Sequence, residues 1–166
     1  MKTYTTTIPV TPVTGKRGNM YVINGREVNG GGCCEVLLKD VFGLPAVKDN
    51  TSWRESCDIP ELGLSVKSHL CTLADDLVGD DIEPLMDAYL AGCHCTYTAW
   101  VEWQYSTSGV QTLKVWFIPN AKLKEFFLKF GRIDGGKVRI KEKTWKRKQS
   151  RTDWLDRNAY MVPKGL

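Results

Sequence analysis

The sequence predicts an α/β or α+β fold in which a mixed β-sheet is flanked by helices. Segments with apolar residues at helical spacing alternate irregularly with short runs in which apolar and polar side chains alternate. The chain has 166 residues, of which 42% are hydrophobic and 25% are charged. That size and composition suit one domain with a sizeable core.

The N-terminal half begins with a segment of low predicted order. Residues 1–20 are rich in Thr, Pro and Gly, and we expect a flexible arm that precedes a single domain at residues 21–166. Asn24-Gly25 predicts a tight turn after a short strand. Apolar residues then recur at helical spacing over 34–41, and Gly43 and Pro45 are expected to end that helix.

The remaining elements follow from the same patterns. We expect a strand over residues 62–70, a linker over 74–80 and a helix from an Asp cap at 80 or 81 to about residue 91. Two strands joined by a Ser/Gly-rich turn predict a hairpin over 96–118. A helix from residue 119, a strand over 137–143 and a last helix over 150–159 complete the prediction.

Positive charge is concentrated near the C-terminus. Residues 137–151 contain eight Lys or Arg and one Glu, a net charge of +7, whereas the whole chain carries +4. Such a stripe is either a solvated strand face or the contact surface of a polyanion. For DNA, we expect phosphate contacts and, from the aromatic residue, stacking on a base; the residues are Lys143, Trp145, Lys146, Arg147, Lys148 and Arg151.

The cysteines and termini suggest an intracellular protein. No run of about 18 apolar residues is present, so we expect no membrane span. The N-terminus lacks an apolar signal region, which favours the cytoplasm and reduced thiols. The ligands for an alternative zinc site have spacings unlike those of common zinc ribbons; they are His69, Cys71, Cys93, His94 and Cys95.

The residues around position 60 combine an acid, a turn and a lysine. Asp58 precedes a Pro/Gly-containing turn, and Ser65 and Lys67 share one face of the strand that follows. An acid and a lysine at neighbouring strand ends can hold a divalent cation and orient a water beside a phosphate. Glu35, on the preceding helix, could supply a further acid.

This segment resembles a known nuclease motif. Asp58-Ile-Pro-Glu-Leu-Gly-Leu-Ser65-Val-Lys67-Ser is similar to the active-site segment of PD-(D/E)XK nucleases, closest to the branch of MutH and GATC-cutting restriction enzymes, which reads approximately D-F-P-E-L-G-(V/I)-E-L-K-T. Residues 32–43 and 113–119 resemble that branch's helix and strand motifs. The likeness spans roughly residues 30–120, and short phage and prophage proteins resemble the chain too.

The resemblance implies a restriction-endonuclease-like core and Mg²⁺-dependent, or Mn²⁺-dependent, cleavage of double-stranded DNA. It implies Asp58 as metal ligand, Lys67 as the water-orienting residue and Glu35 as an auxiliary acid. Ser65 departs from the pattern, which has Glu or Asp there. Some enzymes of the class with Ser at this position take the acid from the next helix, and the corresponding offset falls on Asp80 and Asp81, with Glu83 as the next acid.

Two other classes remain open. Ser65 could mark a DNA-binding module that keeps the fold but does not cleave, or the chain could be an accessory factor that acts on proteins. The resemblance suggests a phage-encoded or bacterial protein. A homodimer, which a double-strand cut usually needs, is left open by the sequence.

Overall fold

A four-stranded mixed sheet is the centre of the fold. The computed structural model describes residues 2–14, 20–47, 57–68, 70–72, 81–140 and 142–160. Within these ranges the elements are β1 (Lys2–Thr6), β2 (Val10–Pro12), β3 (Met20–Ile23), β4 (Arg26–Asn29), α1 (Gly30–Val41), β5 (Leu64–Lys67), β6 (Leu70–Thr72), α2 (Ile82–Ala91), β7 (Tyr97–Trp103), β8 (Gln111–Pro119), α3 (Asn120–Phe130), β9 (Arg132–Asp134), β10 (Lys137–Arg139) and α4 (Trp145–Asn158).

The central sheet has the strand order β1-β8-β7-β5. Strands β5 and β7 are parallel and are joined through α2, while the other neighbours are antiparallel. Two three-stranded sheets, β2-β3-β4 and β6-β10-β9, lie outside it. Helices and a mixed sheet together confirm the predicted α/β (α+β) class.

The two faces of the central sheet bury different cores, because side chains alternate along a strand. On one face, Ala99 and Val101 of β7 pack with the apolar residues of α1. On the other, Trp100 packs with apolar residues of α2, α3 and α4. The architecture is therefore a sheet covered by α1 on one face and by three helices on the other.

Local signals explain the elements that the sequence predicted well. Asn24 and Gly25 both have positive φ angles, 51° and 76°, as a tight turn between twisted strands requires. The side chain of Asn29 accepts a hydrogen bond from the backbone N–H of Gly32 at 2.8 Å and so caps α1. The predicted helices at α1, α2 and α3 and the β7–β8 hairpin are confirmed.

Four predictions differ from the structure, and in one of them the strand expected over 137–143 extends only over Lys137–Arg139. In the segment assigned to a flexible arm, residues 2–6 form β1, paired along its length with β8, and residues 10–12 pair with β3. The strand predicted over 62–70 is divided between β5 in the central sheet and β6 in another sheet. The last helix begins at Trp145, not near residue 150, because Thr144 accepts a capping hydrogen bond from the Arg147 N–H.

Among the described residues, no helix is both long enough and apolar enough to cross a bilayer. The linker predicted over 74–80 lies outside the described residues.

Candidate active site and nucleic-acid surface

The acid, turn and strand around position 60 form one compact corner. The backbone of Ile59 pairs with that of Leu64 on either side of a single 3₁₀ turn, Pro60–Leu62. Gly63 closes the turn with a φ of 62°, a left-handed conformation that favours glycine. A side chain at Gly63 would also approach Thr96 Oγ1 to 3.1 Å. The turn thereby returns the chain from Asp58 directly onto β5.

The Asp58 side chain is hydrogen-bonded to the strand that follows it, β5. Its Oδ2 accepts a hydrogen bond from the backbone N–H of Val66 at 2.7 Å and another from the Ser65 hydroxyl at 3.3 Å. Ser65 is buried, with 4% of its surface exposed, while Asp58 is half-buried. The structure therefore brings Asp58 and Ser65 together, and Ser65 occupies the position beside the first acid.

Lys67 lies on the same face of β5 as Ser65, since the two are separated by two residues. In the parallel register, Ser65 is opposite Thr98 and Lys67 is opposite Trp100 of β7. Lys67 is half-buried. Thr98 is buried, and its hydroxyl has no hydrogen-bond partner among the described residues. This face thus combines an acid, two hydroxyls and an amine beside the aromatic core.

Helix α2 adds a phenol to this face. The Tyr89 hydroxyl lies 3.5 Å from Ser65 Oγ, and Tyr89 also hydrogen-bonds the thiol of Cys93. Cys93 is in turn hydrogen-bonded to Cys95. Cys95 is also hydrogen-bonded to Cys57, which immediately precedes Asp58. A chain of polar contacts therefore runs from Asp58 through Ser65 and Tyr89 to three thiols.

Asn120 contacts the cysteines at the end of this series of polar contacts. Its Nδ2 donates to the backbone carbonyl of Cys95 and lies 3.6 Å from the sulfur of Cys93. Hydrogen bonds from Cys95, Asn120 and Tyr89 lower the pKa of Cys93, and the pKa of Cys95 is raised because it donates to Cys93 and is buried. The Cys93 sulfur is consequently the more readily ionised of the pair.

Glu35 lies on the other side of the sheet. Its helix, α1, packs against the face that carries Leu64 and Val66, opposite to the face of Ser65. Glu35 is only 6% exposed and forms an ion pair with Lys39, which is itself buried, at 3.6 Å. The structure gives Glu35 a buried pairing role and does not place it with Asp58 and Ser65.

The acids at the start of α2 are also separated from this corner. Glu83 forms an ion pair with Lys124 of α3 at 3.0 Å. Asp81 is exposed and precedes the first residue of the helix. Because a helix rises 1.5 Å per residue, Asp81 lies about 12 Å along the axis from Tyr89, which contacts Ser65. Asp80, the other replacement acid, lies outside the described residues.

No cluster of three or more His, Cys, Asp or Glu side chains among the described residues is arranged to hold a metal ion. The predicted metal ligands Asp58, Glu35, Asp81 and Glu83 do not form such a cluster, and neither do Cys93, His94 and Cys95 of the alternative zinc site. The side chains of His69 and Cys71 lie outside the described part. Cys33 and Cys34 are buried in α1, and burial raises the pKa of each thiol to about 12.

Most of the basic C-terminal segment lies in the exposed first turns of α4. All six residues of 145–150 in α4 are exposed, and Trp145 is 77% exposed. Lys146, Arg147 and Lys148 lie in the first turn and a half, where no acid is present. Cations are unfavourable near the positive N-terminal end of a helix dipole. Lys146, Arg147 and Lys148, together with exposed Lys143, therefore produce a positive potential at this helix end. Helix stability does not explain why cations lie there.

Arg151 does not belong to this surface. It is 9% exposed, and its guanidinium pairs with Glu102 at 2.9 Å and with Glu142. It also lies over the Trp100 ring, 5.4 Å from the centroid. The geometry does not favour its predicted role as a DNA contact, because the side chain is buried and already ion-paired. In the sequence, its spacing from Trp154 and Leu155 is the signal that places it on the buried face of α4.

Sequence reasoning missed two residues of the corner. Tyr89 fell on the predicted apolar face of its helix, and its hydroxyl contact with Ser65 depends on how α2 packs. Thr98 faces Ser65 only through the parallel register of β5 and β7, for which the sequence offers no signal. No family model, curated protein or solved structure matches this chain.

Proposed function

We propose that this chain is a Mg²⁺-dependent DNA endonuclease of the PD-(D/E)XK type. The observation that carries the proposal is the grouping of Asp58, Ser65 and Lys67. The Asp58 carboxylate accepts a hydrogen bond from Ser65, and Lys67 follows on the same face of an edge strand. An acid next to an edge strand and a lysine on that strand are the pair that metal-assisted phosphodiester hydrolysis uses.

Asp58 is the residue that fits a magnesium ligand. Mg²⁺ is commonly held by one or two carboxylates together with waters and substrate phosphates. Both described hydrogen bonds of Asp58 engage Oδ2, so we assign Oδ1 to the cation. The chemistry supplied by bound Mg²⁺ is activation of a water and neutralisation of phosphate charge. A second carboxylate from Asp80 or Asp81 would require the segment before α2 to approach Asp58, because Asp81 is separated from this corner.

The other residues of the corner orient these groups. Ser65 holds the Asp58 carboxylate by donating to it. The Lys67 ammonium would stabilise negative charge that develops on the scissile phosphate and orient the attacking water. A DNA substrate implies a protein that acts in the cell interior, and the resemblance suggests a phage-encoded or bacterial one.

The projecting end of α4 supplies the DNA contacts of the proposal. Three cations, Lys146, Arg147 and Lys148, stand on one exposed turn beside Trp145. Lysine and arginine on a protein surface bind the phosphate backbone without regard to sequence and release counterions. We therefore expect duplex binding to depend steeply on salt.

Nicking of supercoiled plasmid DNA with Mg²⁺ tests the proposed chemistry. Lys67→Ala should lower the rate by about a hundredfold or more, because one group that stabilises transition-state charge typically contributes that much. Lys114→Ala, which removes an exposed lysine from β8 of the same sheet, should retain the wild-type rate. Equal nicking by the wild type and Lys67→Ala would refute the assignment.

A DNA-binding module without cleavage is the second candidate. It is favoured by the lack of any three-ligand metal cluster among the described residues and by Ser65, a neutral side chain where the family pattern has an acid. Wild-type protein that binds duplex DNA but does not nick it under Mg²⁺ or Mn²⁺ would favour this candidate. Loss of nicking in Asp80→Ala or Asp81→Ala would favour the nuclease.

The α4 surface is tested separately, by the slope of log affinity against log salt concentration. Replacing Lys146, Arg147 and Lys148 with Ala together should weaken duplex binding equally for unrelated sequences and reduce the slope by about three. Lys122→Ala, on α3 outside this surface, serves as the control. An unchanged slope in the triple variant would exclude α4 as the DNA contact.

A further inference from the structure

Three free cysteines lie in contact with one another near the end of α2. The Cys93 sulfur is hydrogen-bonded to Cys95, and Cys95 is also hydrogen-bonded to Cys57. Cys57 comes from the segment before the 3₁₀ turn, whereas Cys93 and Cys95 lie between α2 and β7. We call these three residues the thiol cluster. Thiols held in contact have a chemistry that a single buried cysteine lacks, because one sulfur can form a disulfide with the next.

The Cys93 sulfur accepts hydrogen bonds from several donors at once. The Asn120 Nδ2 lies 3.6 Å from it, and the Cys95 thiol, the Cys95 backbone N–H and the Tyr89 hydroxyl are also hydrogen-bonded to it. Donors grouped around one sulfur stabilise the thiolate relative to the thiol. The hydrogen bonds from Cys95, Asn120 and Tyr89 therefore lower the pKa of Cys93, although burial opposes them.

Cys93 is also the described cysteine that a small reagent reaches most easily. It is partly exposed, whereas the other described cysteines are buried; they are Cys33, Cys34, Cys57 and Cys95. Burial raises the pKa of Cys33 and of Cys34 to about 12, so both remain thiols near neutral pH. Accessible thiolates react with hydroperoxides, whereas buried thiols are inert.

We propose that Cys93 is a site of oxidation by hydroperoxides and that Cys95 converts the oxidised sulfur into a disulfide between the two. With hydrogen peroxide, the Cys93 thiolate attacks one oxygen; an S–O bond forms, the O–O bond breaks, and the products are a sulfenic acid and hydroxide. The Cys95 thiol then attacks the Cys93 sulfur. An S–S bond forms, the S–O bond breaks, and the hydroxyl group leaves with the Cys95 proton as water. The peroxide gains two electrons, and the two sulfurs lose them.

The contacts of Cys95 identify it as the second thiol. Both its side chain and its backbone N–H are hydrogen-bonded to the Cys93 sulfur. A side chain that accepts from the N–H two residues further along forms a local turn, which brings the two residues together. Asn120 contacts both, because its Nδ2 also donates to the Cys95 carbonyl oxygen. Cys57, which is hydrogen-bonded to Cys95, is the competing partner.

Oxidation of the full chain by a slight excess of hydrogen peroxide tests the proposal. Thiols counted after denaturation should fall from six to four and return to six with dithiothreitol, because a disulfide is reducible whereas a sulfinic acid is not. Cys93→Ser should lose no thiol. Cys95→Ser should carry a dimedone label at Cys93, because its sulfenic acid has lost the second thiol. Cys57→Ser, the control within the cluster, should lose two thiols like the wild type.

Each contrary result has a definite meaning. Six thiols retained in the wild type, or an equal loss in the wild type and Cys93→Ser, would overturn the oxidation site. A Cys57→Ser protein that loses no thiol would overturn the pairing of Cys93 with Cys95 and assign the disulfide to Cys57.

Alkylation of the wild type is a second measurement that requires no variant to fold. Brief treatment with iodoacetamide, followed by mass mapping, should label Cys93 at least about tenfold faster than the buried Cys33 and Cys34. Equal labelling of these three residues would overturn the proposal. Neither measurement involves DNA. A negative result here therefore leaves the proposed endonuclease standing, and a failure to nick DNA leaves the oxidation site standing.

Discussion

Arg151 is expected to stabilise the fold and not to contact DNA. Its side chain is 11% exposed and lies between Glu102, at 2.9 Å, and Glu142, whose side chain is 5% exposed. Replacing Arg151 with Ala leaves two neighbouring carboxylates without their shared cation. Removing one partner of a buried ion pair typically costs about 3–5 kcal/mol, and loss of the contact with the Trp100 ring adds to this.

Urea unfolding followed by circular dichroism measures this cost. Arg151→Ala should lower the free energy of unfolding by about 3–5 kcal/mol. Arg147→Ala removes the same charge from an exposed position of the same helix and should change it by no more than about 0.5 kcal/mol. Duplex affinity should respond in the opposite way, falling in Arg147→Ala and remaining unchanged in the folded Arg151→Ala protein.

The cost should also depend on pH. Burial raises the pKa of Glu142, and Arg151 partly offsets this effect. Without Arg151, the folded-state pKa of Glu142 rises further, and the carboxyl group takes up a proton more readily in the folded than in the unfolded chain. The deficit should therefore be larger at pH 8 than at pH 5. A deficit below about 0.5 kcal/mol at both pH values, accompanied by weaker DNA binding, would refute the buried ion-pair assignment.

Three further predictions concern other positions. Burial raises the pKa of Glu142 in the wild type, so its contribution to stability is full below the unfolded-state pKa and is lost as pH rises through the folded-state pKa; Glu142→Gln should remove that part of the pH dependence of urea unfolding. Gly131→Ala would place a Cβ 2.5 Å from the Phe127 carbonyl oxygen and should destabilise by about 1–3 kcal/mol in the same assay. Ser65→Asp would place two carboxylates side by side at Asp58, so thermal unfolding should occur at a lower temperature without Mg²⁺ and recover when Mg²⁺ is added.

Each of these has its own control. Gly30→Ala is matched to Gly131→Ala, because a Cβ at Gly30 would meet nothing within 4 Å; equal stability of the two variants would contradict the close contact. For Ser65→Asp, recovery with Mg²⁺ but not with the same concentration of choline chloride would show a specific cation effect. A pH dependence retained in Glu142→Gln would assign it to another group.

Elements with a strong local signal could be predicted from the sequence. The Asn-Gly turn at 24–25, the cap at Asn29 and the helical spacing of α1, α2 and α3 depend on residues that are neighbours in the chain. The grouping of Asp58 with Ser65 and Lys67 could also be predicted from the sequence, because a single 3₁₀ turn separates the acid from the strand. Strand alternation then gives the shared face.

Contacts between distant segments could not be predicted in this way. The sequence alone determined the class of the fold, most helices and the composition of the corner at Asp58. Only the tertiary structure decided that residues 2–6 complete the sheet, that Glu35 lies behind it, that Glu83 pairs with Lys124 and that Arg151 is buried while Arg147 is exposed. The physical reason is that turns, caps and periodicity are local, whereas sheet register and helix packing depend on which distant surfaces exclude water together.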